Sequence, residues 1–281
     1  MATVISFVNN KGGVGKTTLA CIIAQALGII GHKVLAIDND GQHNLSTMLG
    51  LTPSEPNIGN LYSLKASQMP KIDAILEDMT LQTTLTNVHC ITAPDSLCDA
   101  DVTNERILAE VIQKSYAATH YDYIIIDNHP GISALQRASL HAAEYVFVPT
   151  ELQQLAVNGL SVMYRLLTEN FSFNRENIKI IPNKYRNVQR QEAFLTALKK
   201  MFPKSVTTAI PVDSILDIIV TEEKILLLDR YMSSKAVPYI IKMMTEIFTF
   251  KEKKLSGDLL VERNKHLAEN ARNRVQSRSS Q

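Results

Sequence analysis

TVISFVNNKGGVGKTTLA occupies residues 3–20, and the rest of the chain is read outward from it. Thr3 to Val8 is a run of β-branched and apolar residues that predicts a buried strand. Asn9 to Gly15 then breaks the run with three glycines. From Lys16 the residues turn to good helix formers, with Leu19, Ile22, Ile23 and Ala26 on one helical face. Strand, glycine loop and helix make the setting of a phosphate-binding loop. The glycines let backbone N–H groups turn inward around phosphate oxygens, and the helix N-terminus adds partial positive charge. Lys16 is placed to neutralise β- and γ-phosphates, and the Thr17 hydroxyl to ligate Mg²⁺.

The ordinary form of this loop carries a glycine where Asn10 stands. Here the string is Lys11-Gly12-Gly13-Val14-Gly15-Lys16-Thr17, with a second lysine at its entrance. This resembles the deviant Walker A motif of the ParA/MinD family of ATPases. The resemblance implies that Lys11, Gly12, Gly13, Val14, Gly15, Lys16, Thr17 and Thr18 bind ATP. It also implies that Lys11 reaches across a dimer interface to the partner's nucleotide, so that Lys11, Lys16 and a carboxylate downstream serve catalysis.

That carboxylate follows the next predicted strand, Lys33 to Ile37, in Asp38-Asn39-Asp40-Gly41-Gln42-His43-Asn44. Carboxylates at the C-terminal end of a parallel strand sit where α/β ligands bind. The family writes the motif D-x-D-P-Q-G-N; Asp38, Asp40, Gln42 and Asn44 match, while Gly41 and His43 depart. By resemblance Asp38 belongs to the Mg²⁺ shell and Asp40 positions the attacking water. His43 reads as a packing substitution. Tyr121 to Asp127 (YDYIIID) has the Walker B arrangement, in which Asp127 holds Mg²⁺ through water. Asn128-His129-Pro130-Gly131 keeps one proline where the family usually has two, and His129 is read as filling space.

Further along, Val88–Thr92, Tyr145–Pro149 and Ile178–Tyr185 read as strands, with helices around Ile72–Met79, Asn104–Tyr116, Leu152–Leu167 and Ala236–Phe248. Val206 to Pro211 is expected to complete the sheet. In the family the asparagine after the Ile178 strand recognises adenine, which maps to Asn183, and Pro211 opens the loop that packs on the base. An amide suits the donor–acceptor edge of adenine.

At 281 residues and 45% hydrophobic content, with no apolar run near 18 residues, no membrane span is expected. The chain enters a strand almost at once, so no signal peptide is expected. Cys21, Cys90 and Cys98 form no CxxC pair and suit buried thiols in a reducing cytoplasm. Cys98 has no later cysteine to join it in holding an iron–sulfur cluster. Residues 1–250 are expected to form the ATPase domain. Residues 251–281, with eight Lys/Arg against four Asp/Glu and sparse leucines, make a charged, helix-compatible tail that does not look like a membrane anchor.

The alternation predicts an α/β fold: a doubly wound, mostly parallel sheet with helices on both faces, of the P-loop NTPase type. The resemblance implies a Mg²⁺-dependent ATPase that forms an ATP-sandwich homodimer and binds DNA without sequence preference on the nucleoid. It further implies partition of a plasmid or chromosome, with a ParB-like partner stimulating hydrolysis and no stable membrane association. Positioning of a protein cargo, a MinD-like membrane switch and a metabolic P-loop enzyme are the alternatives. The family's I-P-R-x-x-R DNA contacts do not carry over, because Ile210-Pro211 is followed by Val212-Asp213 and then Asp217, Glu222, Glu223 and Asp229. The DNA candidates are instead Lys184, Arg186, Arg190, Lys199 and Lys200, with tail residues such as Arg263 and Arg272 second.

Overall fold

The computed structural model describes residues 1–85, 87–214, 216, 234–248 and 261. The acidic stretch from Asp217 to Asp229 and the tail's basic residues lie outside these described residues. The described strands are β1 (Thr3–Phe7), β2 (Val34–Asn39), β3 (Leu81–Gln82), β4 (Val88–Ile91), β5 (Tyr123–Asn128), β6 (Tyr145–Glu151) and β7 (Ile178–Asn183). They form one sheet in the order β3-β4-β2-β5-β1-β6-β7, with only β3 antiparallel to its neighbour.

The helices are α1 (Lys16–Ile29), α2 (Asn44–Met48), α3 (Ile58–Tyr62), α4 (Ile72–Met79), α5 (Ile107–Lys114), α6 (Ala117–His120), α7 (Ala134–Ala142), α8 (Gln154–Arg165), α9 (Gln189–Met201) and α10 (Val237–Phe248). The single helix expected over Asn104–Tyr116 is shorter, and α6 follows it after Ser115 and Tyr116. After α8 the chain makes one wider turn, Leu166–Asn170, before leaving the helix.

Alternation along each strand divides the core between the two faces. Ile5, Phe7, Val34, Ala36 and Ile125 pack with α1 and α10 on one side. Val4, Leu35, Ile37, Ile124 and Ile126 pack with α3, α4, α5 and α7 on the other. A third cluster joins Val146, Val148, Ile178 and Ile180 to Leu160, Met163 and Leu198 of α8 and α9. In α1, Leu19, Ile22, Ile23 and Leu27 are all essentially inaccessible. Full burial of such side chains contributes about 1.5–3 kcal/mol each, so α1 is fixed firmly against the sheet. Its N-terminal end is therefore held at a defined place.

Val206 to Pro211 does not become an eighth strand. The Ile180 N–H donates to the Ser205 carbonyl at 2.8 Å and the Thr207 N–H to the Ile180 carbonyl at 3.0 Å, which begins a parallel ladder. The next donor in that ladder would be residue 182, a proline without an N–H. Pairing resumes out of step, with the Ile210 N–H donating to the Pro182 carbonyl at 2.8 Å, and only isolated bridges remain.

Candidate nucleotide site

Strand order brings the motifs together. β2, β5 and β1 are neighbours, so Asp38 sits opposite Asp127 and Phe7 opposite Asp127 in register. The loop after β1 thus opens beside both carboxylates. Gly13 and Gly15 have φ of 74° and 94°, a region that costs side-chain-bearing residues. A Cβ on Gly15 would lie 2.3 Å from Asn183 Nδ2, and that amide donates to the Val14 carbonyl at 2.9 Å. Helix α1 begins with neither a side-chain cap nor an acidic residue in its first turn. Its first N–H groups and its positive dipole end face the loop, the arrangement that receives an anion.

Lys16 is 6% exposed. Burial lowers its ammonium below the ordinary lysine range, and the negative charges of Asp127 and Asp40 oppose that shift. Asp38 and Asp127 are both fully buried. The Ser46 N–H and hydroxyl donate to Asp38 Oδ2 at 2.8 and 2.7 Å. Asp38 Oδ1 and both Asp127 oxygens accept no hydrogen bond of good geometry, although the Thr17 hydroxyl is close enough to draw the Asp127 carboxyl partly back down. Burial, reinforced by Asp38, pushes the Asp127 carboxyl up to about 8. Burial also raises Asp38 to about 6, against its bonds from Ser46. These buried carboxylate oxygens, with the Thr17 hydroxyl beside Asp127, are the donor set of a hard divalent cation. The residues present therefore fit Mg²⁺.

A cavity of about 630 Å³ runs outward from the loop, a volume in the range of small-molecule sites. Gly13, Gly15, Lys16, Thr17, Thr18 and Asp40 line it beside the glycine loop, and Asn183, Lys184, Arg186, Pro211 and Val212 are also on its wall. Val14 is buried in the loop, and Gly12 packs toward Pro130, where a Cβ would be 3.6 Å from the ring. Asp40 Oδ1 accepts from the Gln42 N–H at 3.0 Å. Lys11 lies at the mouth with its side chain half exposed, its Nζ donating to Glu151 Oε2 at 2.9 Å and to Gln153 Oε1 at 3.1 Å.

The five basic residues proposed for DNA do not form one cluster. Lys184, with φ of 54°, and Arg186 belong to the cavity wall, and Lys184 Nζ is 3.8 Å from Glu151 Oε1. The Arg190 guanidinium lies 5.8 Å from the Phe194 ring centroid near the start of α9. Lys199 and Lys200 are in the last turn of α9, about 14 Å further along its axis.

The positions that depart from the family motif make specific contacts. A Cβ on Gly41 would be 2.9 Å from the Leu97 carbonyl oxygen. His43 has φ of 42° and its Nδ1 lies 3.0 Å from Asp95 Oδ1. His129 Nε2 lies 2.6 Å from the hydroxyl of Ser133, the cap of α7. Sequence reasoning passed over Glu151 as the partner of Lys11; the signal was the one used for Asp38 and Asp127, a carboxylate at the end of a parallel strand. It also missed that Asp213 accepts from Ser234 at 2.6 Å and from the Ala236 N–H at 3.0 Å, just before α10.

Comparison with known proteins agrees with this geometry. The AAA_31 family, described as "AAA domain", matches residues 2–182. The uncharacterized protein MJECL24 of Methanocaldococcus jannaschii is 31% identical over 79% of this chain and 86% of its own length. The chromosome partitioning protein ParA of Caulobacter vibrioides is 33% identical over 58% of this chain, and the match spans 61% of that protein. Among solved structures, the septum site-determining protein MinD of Pyrococcus horikoshii, complexed with Mg-ADP, aligns with a TM-score of 0.71 and 25% identity. That alignment covers 88% of this chain and 96% of the other. No helix among the described residues is long and apolar enough to cross a membrane.

Proposed function

The chain belongs to the ParA/MinD family of P-loop ATPases, and from that premise we propose that it is a Mg²⁺-dependent ATPase working as a nucleotide-controlled dimer in DNA partition. The observation that carries this reading is the convergence, beside a 630 Å³ cavity, of a glycine loop, a buried Lys16 and two fully buried carboxylates, of which only Asp38 Oδ2 is engaged by protein donors of good geometry. The chemistry is phosphoryl transfer to water, in which positioning and charge neutralisation supply the catalysis. Loop N–H groups and Lys16 hold the phosphates. Thr17, Asp38 and Asp127 would hold Mg²⁺, which when bound offsets the negative charge of the β- and γ-phosphates. Asp40, on the cavity wall, positions the attacking water, and Asn183 and Pro211 take the base.

Lys11 completes the site of a second copy in this reading. In one chain it rests on Glu151, an exposed-side contact of small energetic weight that a nucleotide's phosphates can outcompete. The ATP dimer then binds DNA non-specifically, and a small basic partner of the ParB type stimulates hydrolysis and release. Co-sedimentation with duplex DNA in Mg-ATP, Mg-ADP and no nucleotide tests this, alongside liposome flotation. DNA pelleting only with ATP, and no flotation, is the expected pattern. ATP-dependent flotation without DNA binding would transfer the chain to the membrane-switch reading.

A further inference from the structure

Asn39 and Asn128 directly follow the two metal-facing carboxylates, and neither has a part in holding phosphate. Both are completely buried. They form the last register pair of the β2–β5 ladder, one position beyond Asp38 and Asp127. Strand alternation turns them to the opposite face of the sheet from those carboxylates. Asn39 Nδ2 donates to Asn128 Oδ1 at 2.8 Å and to the Leu135 carbonyl of α7 at 3.0 Å. The Tyr62 hydroxyl of α3 donates to Asn39 Oδ1 at 2.7 Å. Asn128 Nδ2 donates to Ser6 Oγ at 3.0 Å and to the Phe7 carbonyl at 2.9 Å.

These bonds tie together three strand ends. β1 carries the phosphate-binding loop, β2 carries Asp38 and β5 carries Asp127. Once both are ionised, the form a divalent cation requires, two buried carboxylates side by side repel one another, and they do so where the β2–β5 ladder is about to end. Backbone pairing can no longer resist that repulsion past this point, whereas side-chain amides crossing the gap can. An amide is suited to this because it donates and accepts at once, so one residue bonds two neighbours without adding charge. The geometry points to Asn39 and Asn128 as positioning residues, a side-chain pin that keeps Asp38 and Asp127 together in readiness for a divalent cation. The inference rests on the reading that the cavity takes a Mg²⁺–nucleotide.

Equilibrium binding of a fluorescent ATP analogue to the full chain, titrated with Mg²⁺, separates the two. Wild type must show Mg²⁺-dependent binding; without it the nucleotide reading itself fails. Given that binding, Asn39→Val and Asn128→Val are expected to raise the Mg²⁺ midpoint by about tenfold, the size of effect seen when ligand-orienting groups are removed. Nucleotide affinity at saturating Mg²⁺ should stay near wild type. Tyr62→Phe removes one donor to Asn39 while keeping the ring, and should move the midpoint the same way by a smaller factor. It decides the matter if the valine variants fail to fold. Variants that melt at lower temperature yet keep the wild-type Mg²⁺ midpoint would reduce the pin to ordinary core structure and overturn the proposal.

Discussion

Lys16 and Lys11 carry the same charge in one loop, and their surroundings assign them different work. Lys16 is enclosed near Asp127 and Asp40 on the cavity wall, so its ammonium is shielded from bulk water. Lys16→Ala should abolish ATP binding in calorimetric titration. Lys11 stands at the mouth on Glu151, and Lys11→Ala should retain binding by the single chain while losing dimerisation and turnover. Equal loss of binding in both variants would mean that Lys11 serves its own chain's nucleotide. The place of the loop was legible, because the spacing of glycines and lysine between strand and helix decides which residues line the cavity. What was not legible is the surroundings of Gly41 and His43, which depart from the family motif. What these two residues meet is residues 95–97, distant in sequence, which pack against the loop. Restoring the family residue with Gly41→Pro should therefore destabilise the protein, by about 1–3 kcal/mol, as overpacking does. Chemical denaturation measures it, and a gain in stability would show that the loop moves aside freely.

Among the elements, β2 and β5 bear the electrostatic cost of the site. Asp127 titrates near 8 in the folded chain against about 4 when unfolded. The folded state thus holds a proton that the unfolded state has released across this interval. Stability from this group is complete below about pH 4 and is lost as pH rises toward 8. Asp38, raised to about 6, acts in the same direction over the lower part of the range. Asp127→Asn should flatten the fall of melting temperature with pH and raise it by several degrees at pH 8, in EDTA and without nucleotide. It should also remove Mg²⁺-dependent nucleotide binding. A melting temperature unchanged at every pH would contradict the crowding of charge described here. The sheet itself could be read from apolar runs, since strands buried on both faces declare themselves. The 206–211 segment misled that reading because its composition is strand-like, and the obstacle, Pro182, lies in the neighbouring strand.

For the whole molecule, the question is what the nucleotide controls. If the proposed function holds, α9 is the DNA surface to test, since Lys184 and Arg186 line the candidate nucleotide cavity and their removal would not separate nucleotide from DNA binding. Replacing Arg190, Lys199 and Lys200 by Ala should flatten the log affinity–log salt slope for duplex DNA, on any sequence, by about 0.9 for each phosphate no longer neutralised. An unchanged slope would move the DNA surface elsewhere. Such a surface is poorly legible in sequence, because basic residues carry no spacing rule and only folding decides which share a face. Dimerisation is more direct to observe, and the proposed function depends on it. Size-exclusion chromatography with light scattering should be run in Mg-ATP and Mg-ADP on wild type and on Asp40→Ala, which lacks the group proposed to position water. Wild type should be the 31.3 kDa monomer in ADP, and Asp40→Ala should persist in ATP at twice that mass. A monomer under every condition, with ATP demonstrably bound, would contradict the nucleotide-controlled dimer.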